Sequence, residues 1–88
     1  MRATSTSTAT TANRRRNAKL RSRIEWLVAC VSEFAAAHGL SPREAFAYLA
    51  RHRGMEFLVR HYEAEHTLSF ADTLDDLSAV CRRNGGGL

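Results

Sequence analysis

The fold is decided by residues 24–46, IEWLVACVSEFAAAHGLSPREAF, which carry the strongest helix signals in the chain. Apolar residues recur in the first half of this stretch at i, i+3, i+4 and i+7, the spacing that places side chains on one face of a helix. They are Ile24, Leu27, Val28, Val31, Phe34 and Ala35, with Trp26 and Cys30 widening the stripe. Gly39 favours the left-handed conformation that ends helices. We therefore predict a first helix from about Leu20 to His38.

The second half of the stretch predicts the start of another helix. Ser41, Pro42 and Glu44 stand at the N-cap, N1 and N3 positions, which is the pattern of a capping box. We expect this helix to end near Arg53, with Gly54 as its terminator. Its predicted inward face consists of Ala45, Phe46, Leu49 and Ala50.

Two further helices follow from the same periodicity. The third spans about Met55 to Glu65, and its inward residues are Met55, Leu58, Val59 and Tyr62. The fourth begins at Phe70 or Ala71 and ends at Arg83, with Leu74, Leu77, Val80 and Cys81 inward. Acidic residues early in this helix and arginines late in it suit the helix dipole.

The sequence thus predicts an all-α fold of about four short helices, packed as a compact bundle or as an orthogonal array. We predict three regions: a disordered basic arm at 1–19, a helical domain at 20–84 and a flexible Gly-rich tail at 85–88. A folded part of this size is small, so a partner subunit or ligand would add to its stability, and a homo-oligomer is one way to provide it.

Charge divides the chain of 88 residues and net charge +4 into two parts. Residues 1–23 carry seven basic and no acidic residues, while residues 24–88 carry six Arg and nine Asp or Glu, which makes +7 and −3. The arm could contact phosphates of a nucleic acid through charge alone. The residues concerned are Arg14, Arg15, Arg16, Lys19, Arg21 and Arg23. The other interpretation is a solvated tail that keeps the protein soluble.

A second candidate site lies near the end of the third helix. Tyr62 and His66 are four residues apart and share a helix face, and Thr67 follows them. One interpretation is a polar spot that binds a partner. The other is structural: Tyr62 packs in the core, His66 meets the last carbonyls of its helix, and Thr67 or Ser69 caps the next helix.

Other function classes lack their sequence signatures. No nucleophile elbow, phosphate-binding loop or HExxH occurs, so we expect no catalytic residues and no cofactor. His61 and His66 are five residues apart, a spacing that does not suit a shared metal ion.

Cys30 and Cys81 fall at apolar helix positions, which favours reduced, buried thiols over a disulfide. The chain lacks a membrane-length apolar run, and a mitochondrial transit peptide, suggested by the Ser/Thr/Arg-rich start, lacks an apolar face. We expect a cytoplasmic protein.

Residues 22–83 resemble a family of small bacterial proteins of unknown function. The resemblance rests on Ile24–Val28, on Ser41–Phe46, on Phe57–Glu63, on His66-Thr67 and on the acidic segment Asp72–Asp76. The family pattern includes Tyr-x-x-Leu-His-Thr, which here reads Tyr62-Glu63-Ala64-Glu65-His66-Thr67, with Glu65 in place of leucine.

The resemblance implies an accessory partner rather than an enzyme, because some members are encoded near ADP-ribosyltransferase-like proteins, as in toxin–antitoxin pairs. It marks Tyr62, His66 and Thr67 as partner-binding residues. We therefore expect a protein-interaction module, an antitoxin-like or accessory partner of a cytosolic enzyme. The alternative is a nucleic-acid-binding regulator that uses the basic arm.

Overall fold

The structure, a computed structural model, describes residues 10–88, and within them the secondary structure is entirely helical. The predicted all-α fold class is confirmed. The helices are α1 (Thr10–His38), α2 (Pro42–Arg51), α3 (Gly54–Arg60), α4 (Tyr62–Glu65) and α5 (Phe70–Arg83). None of these helices is both long and apolar enough to cross a membrane.

The first helix is longer than the sequence predicts. It has 29 residues and begins at Thr10 rather than near Leu20, so residues 10–19, which the sequence predicts to be disordered, are helical in the structure. Residues 1–9 of the predicted arm lie outside the described residues. The upstream turns consist largely of Ala, Arg and Lys, which are strong helix formers. The unfavourable effect of basic residues near a helix N-terminus is about 0.3–1 kcal/mol each, which is too little to stop an established helix.

The core lies where α1 and α3 each pack against both α2 and α5. Its buried side chains come from all four of these helices: Cys30, Val31, Phe34, Ala35, Ala45, Leu49, Leu58, Leu77 and Cys81. The upstream half of α1 extends beyond this core and gives the molecule its long dimension, 57 Å against 24 and 19 Å. Both cysteines are free and buried, as predicted.

The junction of α2 and α3 differs from the prediction. Arg53, not Gly54, takes the left-handed conformation, with φ 68°. Gly54 is instead the buried first residue of α3. A Cβ atom on Gly54 would lie 2.8 Å from Leu49 Cδ2 and 2.9 Å from Cys81 Sγ. The glycine therefore permits close packing of three helices rather than ending one.

The predicted inward faces are also too wide. Ile24, Val28, Phe46 and Val59 are all at least half exposed, with exposed fractions of 50, 59, 52 and 52%, and Ala50 is exposed as well. The core is small, so only the central residues of each apolar stripe are buried. The predicted third helix is interrupted at His61, whose backbone (φ −107°, ψ 24°) separates α3 from α4.

The starts of α2 and α5 follow their local sequence signals. The capping box is present: the Ser41 hydroxyl accepts from the Glu44 amide at 3.1 Å, and the Glu44 carboxylate accepts from the Ser41 amide at 2.8 Å. Ser69 caps α5 by accepting from the Asp72 amide. The tail predicted to be flexible lies against Tyr48, whose hydroxyl accepts from the Leu88 amide at 3.1 Å.

Candidate partner-binding site

Tyr62 lies at the centre of an aromatic and cationic cluster between α1 and α4. The Trp26 ring meets the Tyr62 ring edge-on, with centroids 5.2 Å apart. The Arg23 guanidinium lies 4.5 Å above the Tyr62 centroid. The Tyr62 and His66 rings are stacked at 4.3 Å and 9°. Such contacts fix the orientation of each ring in a way that area burial alone does not.

Arg23 also joins the two helices electrostatically. Its guanidinium lies 3.3 Å from the Glu63 carboxylate, 40 residues away in sequence. Both side chains are exposed, at 43 and 83%, so this ion pair adds little to stability. Its effect is to hold Arg23 in place over Tyr62.

His66 and Thr67 have different roles. His66 Nδ1 lies 2.8 Å from the Tyr62 carbonyl oxygen, and because a carbonyl only accepts, Nδ1 carries the proton. In the neutral ring, Nε2 is then left as an acceptor. The Thr67 hydroxyl donates to the Ala64 carbonyl at 2.7 Å. The structure therefore brings Tyr62 and His66 together and places the Thr67 hydroxyl in the turn that ends α4.

A cleft of about 350 Å³ lies beside this cluster. It is lined by Ala18, Lys19, Ser22 and Arg23 from α1 and by Tyr62, Glu63 and His66 from the α4 region. We call it the Tyr62 cleft. Two predicted sites thus partly coincide, since the basic segment contributes Lys19 and Arg23 to the cleft that Tyr62 and His66 line. The sequence did not predict this overlap, because Lys19 precedes the predicted helix start at Leu20 and Arg23 meets Tyr62 only through a contact between helices.

The remaining predicted phosphate contacts lie elsewhere on α1. Arg14, Arg15, Arg16 and Arg21 are exposed and do not line the Tyr62 cleft. Within residues 10–88 none of them forms an ion pair. They present positive charge to solvent around the upstream half of the helix.

The comparison with known proteins identifies the family. Residues 25–84, about two thirds of the chain, match the family described as "Protein of unknown function (DUF3791)". This chain belongs to the DUF3791 family. The uncharacterised family expected from the sequence is therefore confirmed at that level. No curated protein and no solved structure matches the chain.

The segment that matches DUF3791 contains only some of the residues that line the Tyr62 cleft. Tyr62, Glu63 and His66 fall inside the matched segment, whereas the cleft residues of α1, which end at Arg23, precede it. The same segment includes Glu65.

Glu65 is buried, with 7% of its surface exposed. Among residues 10–88, its Oε1 atom has no hydrogen-bond partner. Burial, and after it the neighbouring Asp76 carboxyl, raise the pKa of Glu65 to about 7. This acidic group on the inner side of α4 was not recognised as buried from the sequence.

A second cleft, of about 330 Å³, lies where α3 meets the end of α5. Its charged centre is Glu56, which pairs with Arg53 at 2.9 Å and with Arg60 at 3.6 Å. The hydrogen bond from Arg53 lowers the pKa of Glu56. Two of the three arginines that line this cleft, Arg53 and Arg60, are therefore engaged with a carboxylate of the same chain.

The two thiols are chemically protected. Burial, followed by the charges of Glu65 and Glu33, raises the pKa of Cys30 to about 12. Burial also raises the pKa of Cys81. A thiol must lose its proton to act as a nucleophile or metal ligand, so neither has the character of a reactive cysteine. Residues 10–88 also contain no cluster of three or more His, Cys, Asp or Glu that could hold a metal ion.

Proposed function

We propose that this DUF3791 protein is a protein-interaction module that binds its partner at the Tyr62 cleft. One observation carries the proposal: α1 and α4 together form a cleft of about 350 Å³ around a fixed Arg23–Tyr62–His66 stack. Tyrosine and arginine are, with tryptophan, the residue types enriched at the energetic centres of protein interfaces. Rings already held by neighbours lose little entropy on binding.

The chemistry of the cleft indicates what the partner presents. Lys19, Ser22 and the guanidinium N–H groups of Arg23 that do not contact Glu63 offer donors, while His66 offers a ring face. A carboxylate next to a planar or apolar side chain would match this set. Glu63 neutralises part of the positive charge, which disfavours a densely anionic ligand and favours a single acidic anchor on a protein surface.

The family resemblance supports a particular kind of partner. It implies an accessory role beside a cytosolic, toxin-like enzyme, and we propose an antitoxin-like function on that basis. In this proposal the chain itself performs no catalysis. It acts by occupying or stabilising the enzyme it binds.

Co-expression with the product of the neighbouring gene, followed by size-exclusion chromatography, tests the proposal. We expect one shared peak for the wild type. Lys19→Glu should separate the two proteins, whereas Arg14→Glu, an equal charge change on α1 outside the cleft, should not. Two separate peaks for the wild type would contradict the partner assignment. Equal loss in both variants would contradict the cleft.

One observation favours a second candidate function, nucleic-acid binding. The exposed arginines 14, 15, 16 and 21 have no carboxylate partner within residues 10–88 and lie along one continuous helix. Guanidinium groups arrayed in this way can neutralise successive phosphates. Such binding would depend on charge, with little dependence on base sequence.

A salt titration tests this alternative. Removing both charges with Arg14→Gln and Arg15→Gln should reduce the slope of log affinity against log salt by about one per lost phosphate contact. The pair Arg43→Gln and Arg51→Gln, two exposed α2 arginines, is the matched control. Equal slopes in the two double variants would exclude the basic segment of α1 as the binding surface.

A further inference from the structure

An apolar stripe on the upstream half of α1 has no cover within the described part of the chain. It consists of Leu20, Ile24 and Val28, with exposed fractions of 56, 50 and 59%. The spacing of four residues places the three side chains on one helix face. At about 100° per residue, the α1 residues that line the Tyr62 cleft are centred on roughly the opposite face. The stripe and the cleft are therefore separate surfaces.

We propose that a second copy of this chain covers the stripe, with the two α1 helices antiparallel and crossing at Ile24. In this pairing Leu20 of each copy meets Val28 of the other, and the two Ile24 side chains meet at the two-fold axis. The interface is isologous, so it closes as a dimer and leaves no copy of the stripe exposed. The Tyr62 cleft stays open on each subunit.

The charge on α1 argues for the second copy in this orientation. Residues 10–23 carry six basic side chains and no acidic one. A parallel pair would place these two groups side by side. In the antiparallel pair, the two Arg16 backbones lie about 24 Å apart along the axis, since each is eight residues from Ile24. That distance exceeds the Debye length of about 8–10 Å, so the repulsion between the two Arg14–Arg16 clusters is largely screened.

Opposite charges also meet in the antiparallel pair. Arg21 and Glu25 flank the stripe on the same side, both are exposed, and neither forms an ion pair within residues 10–88. Flanking residues on the same side face each other across antiparallel helices, so Arg21 of one copy lies near Glu25 of the other. The two-fold axis provides this pair twice.

The rest of each subunit complements the partner's basic segment. Residues 24–88 carry a net charge of −3, from six Arg and nine acidic residues. The antiparallel arrangement places the upstream half of α1 alongside the body of the other copy rather than beside its identical segment. The positive and negative parts of the chain therefore alternate across the dimer.

Sedimentation equilibrium of the full chain tests the proposal. We expect a species of twice the 9.8 kDa chain mass. Leu20→Asp should weaken the dimer roughly tenfold or more, since it places a charge in the apolar contact. Val59→Asp, at a similarly exposed aliphatic position on α3, should leave it unchanged. A monomer throughout the micromolar range, or equal weakening by both variants, would overturn the proposal.

Leu20 lies upstream of the buried core, so its substitution should leave the fold intact, and circular dichroism checks this. Orientation is tested with a spin label at Arg14→Cys, because the buried native thiols do not compete for the reagent. Antiparallel helices crossing at Ile24 place the two label sites about 30 Å apart along the axis. Parallel helices would place them about 10–15 Å apart, and that result would overturn the antiparallel assignment.

Discussion

At the scale of single residues, Glu65 is the clearest conflict between a side chain and its surroundings. Its carboxyl group lies in the interior near Cys30 and Thr73, and Asp76 contributes a second acidic group from α5. A buried acid without a countercharge favours the protonated form. A leucine side chain at this position would carry no such cost.

We predict that the protein is more stable at pH 5 than at pH 7.5. The pKa of Glu65 rises from an ordinary value of 4.5 to about 7 on folding. Below pH 4.5 both states hold the proton. Between pH 4.5 and 7 the unfolded chain releases its proton while the folded chain keeps it, so stability falls as pH rises. The loss should be on the order of 1–3 kcal/mol, measured by urea unfolding at each pH.

Glu65→Gln is the control, because its amide does not titrate. Most of the pH dependence between 4.5 and 7 should disappear in this variant. Glu65→Leu should in addition raise the stability at pH 7.5, because it removes the buried polar group altogether. An unchanged pH profile in Glu65→Gln would contradict the assignment of the pH dependence to Glu65.

Gly54 is the second residue whose surroundings decide its role. We predict that Gly54→Ala destabilises the protein by roughly 1–3 kcal/mol, because the new methyl group would overlap Leu49 and Cys81 side chains in a packed core. Thermal unfolding measures the effect. Gly87→Ala is the matched control, since a Cβ there meets no atom within 4 Å. Helix propensity alone would make Gly54→Ala stabilising. That result would show that the neighbouring side chains move to accommodate the new methyl group.

At the scale of helices, the capping box supports α2. We predict that Ser41→Ala lowers the free energy of unfolding by about 1 kcal/mol, because the Glu44 amide loses its acceptor. Ser32→Ala, at an exposed position inside α1, should be neutral or slightly stabilising, because alanine is the better helix former. Chemical denaturation of both variants measures the difference. Equal values would mean that the cap contributes nothing at this helix.

Some helix boundaries could be predicted from the sequence and others could not. The starts at Ser41 and Ser69 depend on bonds between residues three apart, which a local pattern encodes. The role of Gly54 depends on Leu49 and Cys81, and residue 81 is 27 positions away, so the glycine was misread as a helix terminator. Contacts between distant residues leave no local trace.

Contacts between distant residues also explain why the sequence predicted only part of the candidate site. The face shared by Tyr62 and His66 follows from their spacing, and their rings are indeed stacked. The contribution of α1 does not follow, since Arg23 reaches Glu63 across 40 residues. It also required the helix to continue upstream through a segment whose composition predicted disorder. Helix propensity favours a helix there, whereas the low apolar content of the segment favours disorder.

At the scale of the whole molecule, the protein has a small core and an extended basic helix. The buried apolar residues of the core belong to α1, α2, α3 and α5, so each of these helices completes the burial of the others. A folded part of this size has few contacts to spare, and we expect it to unfold cooperatively. The upstream half of α1 adds surface for binding more than it adds stability.

The thiols offer a test of that cooperativity. Cys30 and Cys81 are fully buried, on α1 and α5, and both face the same core. We predict that a thiol reagent labels the two at the same rate, and that this rate follows the equilibrium population of the unfolded chain, because neither helix can leave the core alone. Mass spectrometry of the labelled protein over a urea series measures both rates.

Gly54→Ala should accelerate the labelling of both thiols equally. Faster labelling of Cys81 alone would mean that α5 detaches while α1 to α3 stay packed, and the core would then be two cooperative units rather than one.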